Sequence, residues 1–261
     1  MTHTFLDWDH NEVMHVPAFR GVRLVVWLVL AATVACGSRD ERSDRRGSSP
    51  PPPSATAARA SIPREAAAPS KSAPRIVVLG DSLTAGLGLP LDEAYPGLLQ
   101  QRLDAQGLKY QVINAGISGD TSAGGVARLD WALEGNVRVL ILALGGNDAL
   151  RGLPPAELGD NLSTIIERAQ ARGITVILAG MEAPPNWGTE YTKAFHDVYP
   201  SLAKQYHVPL VPFLLAGVAG IDTLNQRDGI HPTAEGDRIV ADTVWSVLQP
   251  IVERQAGTHG S

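Results

Sequence analysis

From Arg75 onward the chain alternates two hydrophobic patterns. Ile76-Val77-Val78-Leu79 is an unbroken apolar run ended by Gly80, and comparable runs stand at Tyr110 to Ile113, Val137 to Leu144, Ile174 to Ala179 and Val208 to Phe213. Each is too short for a helix, and each is continuous where a half-buried strand would alternate, so strands buried on both faces are expected. Apolar positions recur at helical spacing over Asp92 to Ala105, Ser122 to Ala132, Ala156 to Arg172, Thr189 to Gln205 and Thr233 to Val252. Strand then helix, repeated along the whole segment, predicts a parallel sheet, because parallel neighbours need a crossover connection. The expected fold class is α/β, a three-layer sandwich around a five-stranded parallel sheet, with ligands bound at the C-terminal strand ends.

Upstream the pattern changes twice. Leu24 to Ala35 is uncharged and apolar, preceded by Arg20 and Arg23 and closed by Cys36, the only cysteine. The stretch is too short to span a bilayer but has signal-peptide length. Small residues followed at once by cysteine resemble a bacterial lipoprotein signal, with lipidation at Cys36, although Thr33 replaces the leucine usual there. An uncleaved anchor, or cleavage near Ala35 to a soluble periplasmic form, are the other readings; all three export the domain. Asp7, Asp9 and Glu12 have the wrong sign for a signal n-region, so Met14 is a candidate start. Residues 37–74 are rich in Pro, Ser and Ala with few large apolar side chains, which predicts a disordered linker. The domain organisation expected is thus an export segment over 1–36, a linker over 37–74, a catalytic domain over 75–256 and a tail over 257–261.

Composition narrows the function. A formal charge of −5 with 19% charged residues supplies no basic footprint for phosphates, so nucleic acid is excluded as a partner. One cysteine excludes an intramolecular disulfide and cysteine metal cages. The candidate chemistry lies at the strand ends, in Gly80-Asp81-Ser82-Leu83, Gly116-Ile117-Ser118-Gly119-Asp120-Thr121-Ser122 and Gly145-Gly146-Asn147-Asp148, and in the late loop Asp228-Gly229-Ile230-His231-Pro232. A serine hydroxyl is a weak nucleophile until a base takes its proton, and imidazole suits that task near neutral pH. Asp228 and His231 are spaced so that the carboxylate can hold Nδ1-H and leave Nε2 for Ser82. The Ser82 N–H, the Gly119 N–H and the Asn147 amide can converge as an oxyanion hole. Each piece alone is also a common turn or cap, and their conjunction at one sheet edge is what points to hydrolysis.

Those four blocks resemble the SGNH/GDSL hydrolase family, and within it the bacterial multifunctional thioesterase/protease/lysophospholipase and arylesterase group. The match runs through Asn114 to Ser122, Leu144 to Gly152 and Asp228 to Pro232, and covers Arg75 to Gln255. The resemblance implies a flavodoxin-like sheet, a Ser82/Asp228/His231 triad and hydrolysis of acyl esters and thioesters without metal or cofactor. It also implies a substrate loop carrying Asp148, Leu150, Arg151 and Leu153. The expected partners are a small or lipid acyl ester and, through Cys36, a membrane, with the chain acting as a monomer. Glu182 to Glu190, with Pro184-Pro185-Asn186-Trp187, departs from the family pattern and leaves chain-length preference open.

Competing motifs fail. Gly80-Asp81-Ser82-Leu83-Thr84 lacks the second glycine of the α/β-hydrolase elbow. Gly86-Leu87-Gly88 has no third glycine for a dinucleotide loop, and Pro90 would interrupt its helix. His196 and His207 read as structural, Asp81, Asp120 and Asp148 as turn or cap residues, and the acceptor sequence Asn161-Leu162-Ser163 falls in a helical pattern. Two other functions remain open at this point: a carbohydrate O-acetylesterase of the same fold, and a binding protein that has lost catalysis.

Overall fold

The computed structural model describes residues 73–257. The export segment, Met14, Cys36, nearly all of the linker and the last four residues lie outside them. Five strands, β1 (Arg75–Gly80), β2 (Gln111–Gly116), β3 (Val137–Ala143), β4 (Thr175–Ala179) and β5 (Leu210–Val211), form one sheet in the order β2-β1-β3-β4-β5. All pairings are parallel, and the order is that of flavodoxin-like folds. The helices are α1 (Ser82–Ala85), α2 (Tyr95–Ala105), α3 (Ser122–Ala132), α4 (Gly146–Leu150), α5 (Pro155–Gln170), α6 (Thr189–Tyr206) and α7 (Ala234–Gly257). Helix α2 packs with α7, while α3, α5 and α6 pack in a row.

Burial follows position in the sheet. Ile76 to Leu79 on β1 and Val139 to Leu142 on β3 are fully buried, as expected for central strands. β2 departs from that expectation. It is an edge strand, and Gln111 and Asn114 are exposed while Val112 and Ile113 are only half-buried. The run expected over Val208 to Phe213 shrinks to Leu210–Val211, because Pro209 and Pro212 flank it and proline cannot donate to a ladder. Two short helices, α1 and α4, had no sequence signal, since four or five residues carry little more than one helical turn.

The longer helices follow their apolar faces. On α5, Leu158, Leu162, Ile165, Ile166 and Ala169 make one buried stripe. Helix α6 continues through Pro200 and stops at His207, whose left-handed backbone (φ 52°) sends its N–H to the Ala203 carbonyl. His207 thus ends a helix. Helix α7 runs past the expected Val252 to Gly257, also through a proline, Pro250.

Candidate active site

Parallel strands deliver their C-terminal ends to one rim. At the end of β1 the Asp81 carboxylate accepts the Leu83 N–H at 3.0 Å and caps α1, which makes Ser82 the first residue of that helix. Its N–H therefore has no acceptor within the helix. Beyond β2 the Asp120 N–H closes a turn on the Ile117 carbonyl at 3.1 Å. Gly119 sits in this turn at φ +83°, a conformation that side chains rarely adopt. Beyond β3, α4 carries Asn147 and Asp148.

The loop before α7 closes on itself. Gln226 N–H donates to the His231 carbonyl at 2.7 Å, and Thr233 N–H to the Leu224 carbonyl at 2.9 Å. The Gln226 side-chain amide donates to the carbonyls of Leu87, at 2.7 Å, and Pro232, at 2.9 Å, tying the loop to the segment after α1. That brings His231 to Ser82.

His231 Nε2 lies 2.8 Å from Ser82 Oγ, and His231 Nδ1 lies 2.7 Å from Asp228 Oδ2. Asp228 Oδ1 also accepts the N–H groups of Ile230, at 2.9 Å, and His231, at 3.0 Å. Those two backbone donors, then the imidazole, pull the Asp228 carboxyl down to about 2 although its side chain is 44% exposed. An ionised Asp228 can only accept, so Nδ1 carries hydrogen, and in the neutral ring Nε2 accepts from the Ser82 hydroxyl. The three expected triad residues thus form one continuous hydrogen-bond chain.

Asn147 Nδ2 donates to the Asp120 carbonyl at 2.9 Å and leans on Asp81 Oδ2 at 3.3 Å. Asp81 is 3% exposed, and burial outweighs its hydrogen bonds to push its carboxyl up to about 6. The residues expected in the substrate loop divide. Leu150 is exposed, and Arg151 donates to the Gly119 carbonyl at 2.7 Å. The Leu153 carbonyl accepts from Tyr191 Oη at 2.8 Å, and the Trp187 ring lies against Gly152. Asp148 is different. It is 2% exposed, and its two oxygens take the Ser122 hydroxyl at 2.5 Å and the Ser122 N–H at 2.9 Å. Its carboxylate ties α4 to the start of α3.

Two contributors had escaped the sequence reading. Gln226 stands two residues before Asp228, and its amide has no chemistry of its own that would single it out there. Arg128 did carry a signal, since a charge three residues after Gly125 falls beside the buried stripe of Gly125, Leu129 and Ala132. His196 pairs with Glu182 at 2.7 Å on the exposed surface, away from the triad chain.

Exposed apolar side chains stand beside several site residues in sequence. Leu87 and Leu89 pack close to Ser82, Leu83, Gly86, His231, Pro232 and Asp237, with no room for a water molecule between them. Ile117 before Gly119, Leu150 after Asn147, Ile230 before His231, and Trp187 are exposed large hydrophobics. A groove lies between α5 and α6 and contains none of these residues.

A profile of the GDSL-like Lipase/Acylhydrolase family matches residues 78–239, a span that holds the whole site. The chain belongs to the GDSL-like lipase/acylhydrolase family. Esterase TesA of Pseudomonas aeruginosa is 44% identical over 182 residues, covering 69% of this chain and 90% of that protein. Thioesterase 1/protease 1/lysophospholipase L1 of Escherichia coli (strain K12) is 38% identical over 186 residues, covering 71% and 88%. The crystal structure of TesA superposes with a TM-score of 0.65 at 45% identity, covering 67% of this chain and 98% of that one. As a member of this acylhydrolase family, the chain is a hydrolase of ester bonds.

Proposed function

We propose that this acylhydrolase cleaves acyl esters and thioesters through a Ser82-His231-Asp228 triad and an acyl-enzyme intermediate. The observation that carries the reading is the unbroken chain from Ser82 Oγ through His231 to Asp228. In the first half-reaction Ser82 Oγ attacks the acyl carbon while its proton passes to His231 Nε2. The resulting imidazolium is stabilised by Asp228 and returns the proton to the leaving alcohol or thiol. The tetrahedral oxyanion is held by the Ser82 N–H, the Gly119 N–H and the Asn147 amide. In the second half-reaction His231 takes a proton from water, which attacks the acyl-serine and restores the free hydroxyl.

The exposed apolar side chains of Ile117, Leu150 and Ile230, each within three residues of Gly119, Asn147 or His231, support an acyl chain, rather than a polysaccharide, as the group recognised. In this reading Leu150, Arg151 and Leu153 contact the substrate and Asp148 holds their loop from beneath. Export on the signal over residues 1–36, lipidation of Cys36 and the tether over 37–74 belong to the same proposal. A p-nitrophenyl ester series tests it. Turnover is expected to show a burst of one nitrophenol per site when deacylation is slower than acylation. kcat/KM is expected to rise from acetate to longer acyl chains. Maximal activity on acetylated sugars, with no gain from chain length, would favour an O-acetylesterase instead.

A further inference from the structure

One charged side chain outside the triad bridges the ends of β1 and β2 and the loop that holds Gly119. From the middle of α3, Arg128 donates through Nε to Asp120 Oδ2 at 2.6 Å, through Nη1 to the Ala115 carbonyl at 2.7 Å and through Nη2 to the Gly80 carbonyl at 2.8 Å. Gly80 ends β1 and is followed by Asp81 and Ser82; Ala115 lies at the end of β2; Asp120 follows Gly119. The connection reaches the third donor as well, because the Asp120 carbonyl accepts the Asn147 amide at 2.9 Å. Gly124, in the first turn of α3, leaves room for this arrangement. A Cβ there would fall 1.8 Å from Asp120 Oδ1.

The pair is largely withdrawn from water, with side chains 13% exposed for Arg128 and 16% for Asp120. Burying an ion pair brings little net stability over a well-packed apolar alternative. Stability alone is therefore a weak reason for a guanidinium here. A planar fork with donors in fixed directions does something that an apolar side chain or an ammonium cannot: it sets the relative positions of three acceptors at once. Oxyanion donors lose their catalytic effect when misplaced by about 1 Å, so such a fixture acts on the rate.

We propose that Arg128 is a positioning residue that locks the β1 end, the β2 end and the Gly119-Asp120 loop together. It thereby holds the Ser82 N–H, the Gly119 N–H and the Asn147 amide as one preorganised oxyanion hole. The proposal rests on the oxyanion assignment made above. It assigns Arg128 no contact with substrate.

The test uses Arg128→Lys, Arg128→Met and Asp120→Asn in the full chain, with kcat normalised to sites titrated by a fluorophosphonate so that misfolded protein does not count. Asp120→Asn keeps the backbone carbonyl and the side-chain volume, and so reports even where the Arg128 variants fold poorly. The expected result is a loss of kcat of roughly tenfold for Arg128→Lys and Asp120→Asn, and on the order of 10² for Arg128→Met, with KM within about twofold. Binding of an arylboronic acid, a tetrahedral analogue, weakens in parallel. In an Asn147→Ala background the Arg128→Met effect falls to a few-fold, because residues acting as a unit are not additive. Variants that lose thermal stability while each titrated site keeps its kcat would overturn the proposal in favour of a purely structural ion pair. Fully multiplicative effects in the Asn147→Ala background would overturn it too. If Asn147→Ala by itself left kcat intact, the oxyanion assignment would be the part at fault, and the Arg128 proposal would fall with it.

Discussion

At the scale of single residues, the chemistry was legible where only one residue type can perform it. Ser82 opens α1 at the end of β1. Asp228 and His231, three residues apart in the loop before α7, have the spacing of a carboxylate-imidazole pair; the contacts of His231 stand at 2.8 Å to Ser82 and 2.7 Å to Asp228. Asp148 shows the limit. A carboxylate beside Asn147 can face a substrate or cap a helix, and no local pattern encodes the burial and the tie to Ser122 that the structure gives it. Arg128 and Gln226 each bridge a nearby and a distant segment, Arg128 from Asp120 to Gly80 and Gln226 from Pro232 to Leu87, and the distant partner is what local spacing does not anticipate. The triad assignment predicts that Asp228→Asn lowers kcat on the order of 10⁴-fold, as expected when an imidazole is held in the wrong tautomer. Steady-state kinetics on p-nitrophenyl butyrate would check it, and a variant within tenfold of the parent would reduce Asp228 to a turn residue. Because the Asp228 carboxyl sits near 2, its own protonation contributes nothing to any loss of activity between about pH 5 and pH 7.

Elements were legible in proportion to their length and burial. Helix α3 was expected over Ser122 to Ala132 and is found there, helped by Thr121, whose hydroxyl oxygen caps it by accepting the Gly124 N–H. Failures concentrate where tertiary placement overrides pattern, in edge strand β2 and in β5 between its prolines. The start of α2 is another such place. Its N-cap, Ala94, offers no side-chain acceptor, and the Tyr95 N–H is taken by Asp237 Oδ2 of α7 at 3.0 Å. Asp237 is 1% exposed, and burial pushes its carboxyl up to about 7. A carboxyl raised in the folded state binds its proton more tightly there than in the unfolded chain. Its favourable contribution is complete below the unfolded value of about 4 and is lost as pH rises through about 7. Asp237→Asn keeps an oxygen for Tyr95 and removes the ionisation. Its Tm relative to the parent is therefore expected to be close to zero near pH 4 and roughly 3–8 °C higher at pH 8. A difference independent of pH, read by thermal melts across that range, would contradict this account.

At the scale of the whole molecule, the parallel order β2-β1-β3-β4-β5 explains why residues from four distant segments meet, since every parallel strand ends on the same rim. Residues 1–72 bear on where this rim works. If Cys36 carries lipid, buried acyl chains at about 0.8 kcal/mol per CH₂ hold the enzyme on a membrane. In that proposal the domain would act on acyl esters presented in the same surface. The full chain is expected to partition with membranes and detergent. Cys36→Ser is expected to move it to the soluble fraction or leave it unprocessed, with unchanged kcat on a soluble ester. Wild-type protein recovered soluble, with a mature N-terminus other than residue 36, would remove the anchor and leave the hydrolase intact. The most direct measurement concerns the nucleophile. Fluorophosphonate-treated protein, digested and mapped by mass spectrometry, is expected to carry one adduct, on Ser82, and Ser82→Ala is expected to lose both the adduct and ester turnover while keeping its Tm. An adduct on another serine, or turnover surviving in Ser82→Ala, would contradict the account at its centre.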